Sequence, residues 1–220
     1  MTQLQAIEME TGANPDAAVI WLHGLGASGH DFEPVVPELK LPDSAAVRFI
    51  FPHAPTMPVT INGGMQMPAW HDIKSLDLER AVDEAQIRHS ADLVREFIEQ
   101  ERERGVPSER IVLAGFSQGG AVAYELALSY PDRLAGLMAL SSYFATNATI
   151  QRSEANQGLP IRVYHGTQDP MVPEALGRHS ESTLRELGYN VRYQTFPMDH
   201  SVCLEEIQDI GAFLREILAL

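Results

Sequence analysis

Cysteine and basic residues are scarce in this sequence. Its 220 residues include one cysteine, Cys203, which excludes an intrachain disulfide framework and suits a reducing compartment. Lysine and arginine total 16 against 30 aspartate and glutamate residues, so the formal net charge is -14. Because affinity for nucleic acid comes largely from basic side chains that neutralise phosphate, this balance argues against a nucleic-acid partner. It also disfavours stable docking on an anionic membrane.

Long apolar runs are absent as well. No stretch reaches the roughly 18 residues of a transmembrane helix, so we expect no membrane insertion. The segment from Met1 to Glu10 lacks the basic and apolar regions of a secretory signal, and we predict a cytoplasmic location. With 45% hydrophobic and 21% charged residues, the chain has the composition of a globular protein, and its length predicts one domain over residues 1–220.

Short apolar runs containing β-branched residues alternate with amphipathic segments. The apolar runs predict strands at residues 17–22, 47–51, 110–114, 134–140, 161–164 and 189–196. Their near-continuous apolar character is typical of a mostly parallel sheet buried on both faces. The amphipathic segments predict helices at roughly residues 78–104, 118–130, 173–187 and 203–218. This alternation predicts an α/β fold with helices on both faces of the sheet.

Two long segments show no regular period. Residues 52–72 are rich in proline, methionine and glycine, and residues 141–160 form the second such stretch. Because loops of this length inside a compact domain are more often functional than accidental, we expect both to lie over the functional site.

The sequence GFSQG at residues 115–119 fits the pattern G-x-S-x-G. Taken alone, it could be a glycine-rich turn that happens to contain a serine. Here, however, it follows a predicted strand and opens a predicted helix, which is the context of a nucleophile held in a tight strand-to-helix turn. This context favours Ser117 as a nucleophile exposed at the carboxyl edge of the sheet.

A nucleophilic serine requires a general base, and the base requires an orienting acid. Asp169 and His200 both follow Ser117 in the chain, and each lies just after a predicted strand. Among the eight histidines, His200 is the last, and it follows the acid on a strand-to-helix loop. Asp199 is a rival acid, but the carboxylate of an immediate neighbour rarely reaches the ring nitrogen that must be held. We therefore predict Asp169 as the acid and His200 as the base.

The sequence HGLG at residues 23–26 follows the first long apolar strand. It could be only a glycine turn, but this fold places an oxyanion-binding N–H at that point. Such preorganised N–H groups stabilise the negative oxygen of a tetrahedral intermediate. We predict that the backbone N–H groups of Leu25 and Gln118 form the oxyanion hole.

Five segments carry a family resemblance, in the same order along nearly the whole chain. They are WLHGLGASGHDF at 21–32, PAWHDI at 68–73, GFSQGGAVA at 115–123, HGTQDPMVP at 165–173 and DHSVCLEEI at 199–207. Here the sequence resembles the phospholipase/carboxylesterase family of small α/β-hydrolases, which includes bacterial carboxylesterases and acyl-protein thioesterases. The resemblance implies the α/β-hydrolase fold and hydrolysis of carboxyl esters or thioesters without a metal or an organic cofactor. It also leaves a homodimer open as an assembly.

The resemblance implies the same site as the motifs. Ser117, Asp169 and His200 would form the triad, and Leu25 and Gln118 would form the oxyanion hole. Two positions depart from the family pattern, because His71 stands where tyrosine is usual and Asp199 stands where glycine usually precedes the catalytic histidine. These departures concern the pocket wall and the surroundings of His200.

Apolar residues near the motifs are candidates for an acyl pocket. Trp70 sits among methionines in the long loop, and we predict that Trp70, Met65 and Val172 bind substrate. Packing of this loop onto the core would use similar residues, so that alternative stays open. Cys203, close to His200, is better explained as a small buried hydrophobe than as a second nucleophile.

Together these patterns predict a serine carboxylesterase that acts on small ester or thioester substrates of short to medium chain length. An acyl-protein thioesterase or a lysophospholipase would use the same triad. A non-catalytic binding module with this fold is the alternative from another class, and the complete set of catalytic groups argues against it.

Overall fold

The computed structural model describes residues 4–75 and 81–220. Its main sheet has seven strands: β1 (Ala6–Glu10), β2 (Ala17–Leu22), β3 (Val47–Pro52), β6 (Ile111–Phe116), β7 (Gly136–Leu140), β8 (Ile161–Gly166) and β9 (Val191–Phe196). A separate hairpin contains β4 (Thr56–Val59) and β5 (Met65–Pro68). The helices of the described residues are α1 (Glu84–Glu103), α2 (Gln118–Ser129), α3 (Glu174–Glu186) and α4 (Leu204–Leu218).

The main sheet is parallel apart from one edge. Its strand order is β1-β3-β2-β6-β7-β8-β9, and only β1 runs antiparallel to its neighbour. Because β2, β6, β8 and β9 run in the same direction, the loops that follow them emerge at one edge of the sheet. The segments HGLG, GFSQG, HGTQDP and MDHS lie at or just after the carboxyl ends of these four strands, so the topology brings the candidate site residues to a common edge.

Two apolar layers cover the sheet. In β2, Ala18 and Ile20 face a buried cluster that also contains residues of α1 and α2, whereas Val19 and Trp21 face a cluster that contains residues of α4. Alternate side chains of one strand therefore pack against helices on opposite faces. The mostly parallel sheet with helices on both faces is confirmed.

The first helix starts later than predicted. It begins at Glu84, because the side chain of Asp83 accepts a hydrogen bond from the first helical turn and caps it. Before this cap, Val82 pairs with Ile73 in an isolated antiparallel bridge. Residues 78–80 of the predicted helix lie outside the described residues. The other predicted boundaries differ from the observed ones by at most two residues.

Three short strands are not among those that the sequence predicts. Strand β1 is a five-residue edge strand with no fully buried side chain, and the hairpin of β4 and β5 lies within the segment 52–72 that is expected to be irregular. Each hairpin strand has four residues and contains proline, which weakens the strand pattern. Segment 141–160 contains only the short 3-10 turn Glu154–Asn156. Among the described residues, no helix combines the length and apolar character needed to cross a membrane.

Candidate active site

Ser117 lies in a sharp turn between β6 and α2. Its backbone has φ 54° and ψ -120°, a conformation that is strained for a residue with a side chain. Gly115 and Gly119 permit this turn, because a Cβ on Gly115 would collide with the backbone of Gly119. A Cβ on Gly119 would lie 2.6 Å from the carbonyl oxygen of His23, so the glycine also lets α2 approach the loop after β2. The turn holds the Ser117 side chain at the carboxyl edge of the sheet.

The three predicted triad residues meet at this edge. His200 Nε2 lies 2.9 Å from Ser117 Oγ, and His200 Nδ1 lies 2.7 Å from Asp169 Oδ2. An ionised carboxylate only accepts hydrogen bonds, so Nδ1 carries the proton and Nε2 is free to accept the serine proton. The ring of Phe116 packs against His200, with ring centroids 4.7 Å apart. This arrangement can deprotonate Ser117 when the hydroxyl attacks a carbonyl carbon.

Asp169 is held in its ionised form by donors on both carboxylate oxygens. Its Oδ1 accepts the backbone N–H groups of Met171 at 2.9 Å and Val172 at 2.8 Å, while Oδ2 faces His200. Burial alone would raise the pKa of Asp169, but the hydrogen bonds from His200 and Val172 outweigh it and hold the pKa below its usual value. The rival Asp199 is exposed, and no hydrogen bond joins its carboxylate to His200 in the described part of the chain.

Backbone contacts join the loop of Asp169 to the loop of His200. Thr167 N donates to Phe196 O at 2.9 Å, and Gln168 N donates to Met198 O at 3.0 Å. Gly166 permits this approach, because a Cβ there would collide with the carbonyl oxygen of Asp199. These contacts therefore fix Asp169 and His200 relative to each other.

The predicted oxyanion donors lie beside Ser117. Within the described residues, no backbone carbonyl accepts the N–H of Leu25 or of Gln118, so both donors are available to a ligand. A Cβ on Gly24 would lie 3.4 Å from Ser117 Cβ, so the HGLG loop lies against Ser117.

His23 orders the HGLG loop from within. Its Nδ1 lies 2.7 Å from Gly24 O, and its Nε2 accepts the N–H of Ala54 at 3.0 Å. Because a carbonyl oxygen only accepts, Nδ1 carries the proton and the ring is neutral. Burial lowers the pKa of His23, which agrees with the neutral form.

The prediction that Trp70 lines the substrate pocket is corrected by its burial. Trp70 is 0% exposed, and its indole Nε1 donates to His23 O at 2.8 Å. Its backbone N donates to Gln118 Oε1 at 2.7 Å, and Gln118 Nε2 donates to His71 O. Trp70 therefore supports the HGLG loop at His23. The spacing of motifs gives no signal for this contact, because the partners are 47 and 48 residues apart in sequence.

A cavity of about 730 Å³ opens beside Ser117 and His200. Its apolar side chains come from the loops after β2, β8 and β9, from the end of β6 and from residues 61–73; they are Leu25, Ala27, Phe32, Ile61, Met67, Ile73, Phe116, Met171, Val172 and Val202. Val172 belongs to this lining, and its contact with substrate stays a prediction. Met65 is 64% exposed and is not part of the lining, whereas Met67, two residues later on β5, takes part in it.

Two further expectations for this region differ from the structure. Segment 141–160 contributes no residue to the cavity lining, so only the first of the two long segments lies over the site. Cys203 is partly exposed at the N-terminus of α4 and is not a fully buried hydrophobe, although burial raises the pKa of its thiol.

His71 is fully buried and does not line the cavity. Among the described residues, no group of three His, Cys, Asp or Glu side chains could hold a metal ion.

The family model described as phospholipase/carboxylesterase matches residues 4–218. The chain belongs to this family. Acyl-protein thioesterase 1 of Neurospora crassa is 42% identical over 217 residues, which cover 94% of this chain and 89% of that protein. This membership and these similarities identify the chain as a carboxylic ester hydrolase of the α/β-hydrolase fold.

Solved structures of similar proteins agree with this assignment. SOBER1 of Arabidopsis thaliana superposes with a TM-score of 0.86 at 31% identity, covering 92% of this chain and 99% of that one. Acyl-protein thioesterase 2 of Zea mays superposes with a TM-score of 0.85 at 25% identity, covering 97% of this chain and 99% of that one.

Proposed function

We propose that this family member is a serine esterase that hydrolyses acyl esters of short to medium length through Ser117, His200 and Asp169. The observation that carries the proposal is the position of His200, whose two ring nitrogens are 2.9 Å from Ser117 Oγ and 2.7 Å from Asp169 Oδ2. A histidine that bridges a serine and a buried carboxylate at a cavity is the arrangement that acyl transfer requires.

The reaction proceeds in two steps. Ser117 Oγ attacks the substrate carbonyl while His200 Nε2 takes its proton, and the resulting oxyanion accepts hydrogen bonds from the N–H groups of Leu25 and Gln118. The intermediate expels an alcohol or a thiol, which receives the proton from His200, and leaves an acyl group on Ser117. Water then attacks this acyl-enzyme through the same base, and the carboxylic acid departs. No step needs a metal or an organic cofactor.

The cavity supports a limit on acyl length. Each methylene that leaves water contributes about 0.8 kcal/mol, so kcat/KM should rise with chain length until the apolar lining is covered. The hairpin of β4 and β5 contributes Met67 to one wall, and no larger lid covers the cavity in the described residues. We therefore expect a plateau at medium chain length and no further gain for long acyl chains.

A fluorophosphonate probe tests the nucleophile. The probe should label the peptide that contains Ser117 in the wild type and should not label Ser117→Ala. Labelling of another residue, or equal labelling of the variant, would contradict the proposal.

Thioester hydrolysis is a second candidate activity. The similar proteins from Neurospora crassa and Zea mays are named acyl-protein thioesterases, and the proposed mechanism accommodates a thiol leaving group. An ester, a thioester and a lysophospholipid with the same acyl chain, compared by kcat/KM, would separate the three activities. A higher kcat/KM for the thioester would make the thioesterase the better assignment.

A further inference from the structure

Ser142 lies behind the nucleophile, outside the cavity. It follows β7, the strand next to β6, and is 0% exposed. Its hydroxyl donates a hydrogen bond to the backbone carbonyl oxygen of Ser117 at 2.6 Å. The N–H of Ser117 in turn donates to Leu140 O at 2.8 Å, so the end of β7 holds the nucleophile residue at both of its backbone polar groups.

The carbonyl that Ser142 holds belongs to the peptide unit that carries the N–H of Gln118. A trans peptide unit is planar, and its C=O and N–H point to opposite sides. A hydrogen bond that fixes the direction of the Ser117 carbonyl therefore also fixes the direction of the Gln118 N–H. That N–H is one of the two proposed oxyanion donors, and its usefulness depends on its aim.

Gly120 makes room for this contact. A Cβ on Gly120 would lie 2.5 Å from Ser142 Cβ and would collide with the hydroxyl oxygen as well. The N–H of Gly120 donates to the same Ser117 carbonyl at 3.0 Å. The carbonyl thus accepts one hydrogen bond from the helix and one from the Ser142 side chain.

The other proposed oxyanion donor is held in the same way. The N–H of Leu25 shares its peptide unit with the Gly24 carbonyl, and that carbonyl oxygen is 2.7 Å from the protonated ring nitrogen of His23. In both peptide units a buried side chain holds the carbonyl on the side opposite the donor.

We propose that Ser142 is a positioning residue that aims the Gln118 N–H at the oxyanion. This inference rests on the proposed function, because it assumes that Ser117 forms a tetrahedral intermediate. It assigns to Ser142 an effect on the transition state that is transmitted through a backbone peptide unit, without contact with the substrate.

The matched pair Ser142→Ala and Ser141→Ala tests this proposal. Ser141 is also 0% exposed, but its hydroxyl has no hydrogen-bond partner among the described residues. Both substitutions remove one buried hydroxyl from adjacent positions. Removing an oxyanion donor outright lowers kcat by about 100- to 1000-fold. In Ser142→Ala the Ser117 carbonyl keeps its hydrogen bond from the Gly120 N–H, so the Gln118 N–H is only partly misdirected and kcat should fall by roughly tenfold. We expect this loss in Ser142→Ala with KM within about twofold of wild type, and no comparable loss in Ser141→Ala.

Two ketone inhibitors supply a measurement that a merely structural role would not change. Ser117 Oγ adds to the carbonyl carbon of a trifluoromethyl ketone that carries the acyl chain of a good substrate, and the adduct contains an oxyanion. The matching methyl ketone binds largely as the unreacted ketone. Ser142→Ala should weaken the trifluoromethyl ketone by the same factor as kcat/KM and leave the methyl ketone unchanged. Equal weakening of both inhibitors, unchanged inhibition, or an equal loss of activity in Ser141→Ala would overturn the proposal.

Ser142→Cys keeps the test decisive if the alanine variant folds poorly. A thiol is a weaker donor than a hydroxyl, so this variant should fall between wild type and alanine in kcat and in trifluoromethyl ketone affinity. Wild-type values for both would contradict the positioning role. Failure of the proposed function is a separate result, because a fluorophosphonate would then leave Ser117 unlabelled in the wild type.

Discussion

The edge of the sheet that carries Ser117 and the wall of the adjoining cavity are built in different ways. Ser117, Asp169 and His200 each follow a strand of one sheet, and backbone hydrogen bonds and glycine contacts join their loops. The wall depends partly on a two-stranded hairpin outside that sheet, where exposed Met65 and cavity-lining Met67 lie two residues apart. Substitutions at the edge should therefore change the chemistry for every substrate, whereas substitutions in the wall should change the choice among substrates.

Ser117→Ala should have the largest effect. Removing the hydroxyl removes the nucleophile, and because members of such a triad act as a unit, turnover should fall by several orders of magnitude at every acyl length. Circular dichroism should show an unchanged fold, since the side chain is small and partly exposed. Retention of more than about a tenth of wild-type kcat on a p-nitrophenyl ester would exclude Ser117 as the nucleophile.

Asp169→Asn should follow with a loss in kcat of up to about 10⁴-fold. The amide can present an N–H to His200 and favour the tautomer that cannot accept the serine proton. The matched control is Asp199→Asn, which removes the charge of the rival acid at an exposed position next to the same histidine. A greater loss of kcat in Asp199→Asn than in Asp169→Asn would show that the acid is wrongly assigned.

Trp70→Phe should lower kcat by roughly tenfold, to a similar degree for short and longer acyl chains. The phenyl ring cannot donate to His23 O, so the loop that carries the Leu25 N–H loses a support. Trp21→Phe is the control, because Trp21 is also buried but its indole N–H has no partner among the described residues. A loss of kcat confined to the longer esters would instead show that Trp70 contacts the acyl chain.

The sequence predicts which residues meet at the sheet edge better than it predicts the contacts that support them. Strand-to-helix context points to Ser117, and chain order narrows the candidate acid and base to Asp169 and His200, because these signals are local and because parallel strands bring their ends together. The role of Trp70 depends on hydrogen bonds to residues 47 and 48 positions away, and no periodicity reports such contacts. The sequence does not predict the hairpin, because its strands are short and contain proline, and without the hairpin Met65 cannot be distinguished from Met67.

Met67→Ala should have a smaller effect that depends on the substrate. Truncation removes apolar surface from the cavity wall. Each substrate methylene that then stays in water loses about 0.8 kcal/mol of burial free energy. The value of kcat/KM should therefore fall a few-fold for medium acyl chains and hardly at all for acetate. Met65→Ala removes the same side chain from an exposed position and should leave the chain-length profile unchanged. The measurement is kcat/KM over p-nitrophenyl esters of increasing length. Equal chain-length profiles for the two variants would show that the hairpin does not contact the acyl chain.

Glu206→Gln should leave kcat nearly unchanged and alter only stability. Glu206 lies in the first turn of α4, is 0% exposed, and has no well-formed hydrogen bond to either carboxyl oxygen among the described residues. Burial raises the pKa of Glu206 from 4.5 to about 8. The backbone of Cys203 lowers this pKa, and the carboxylate of Asp209 raises it, but both effects are smaller than that of burial. In the folded protein the group therefore stays protonated at pH values where the unfolded chain has lost the proton.

This difference determines the sign of the pH dependence. Below pH 4.5 both states are protonated, and between pH 4.5 and about 8 folding takes up a proton, so wild-type stability falls as pH rises through that window. The slope is at most about 1.4 kcal/mol per pH unit for one group. Glutamine has the same shape and no proton to lose, so the Tm of Glu206→Gln should exceed that of wild type by more at pH 8 than at pH 5. Exposed Glu205→Gln is the control and should show no such widening. A constant Tm difference between the two pH values would mean that Glu206 loses its proton at a similar pH in the folded and unfolded states, and would contradict the raised pKa.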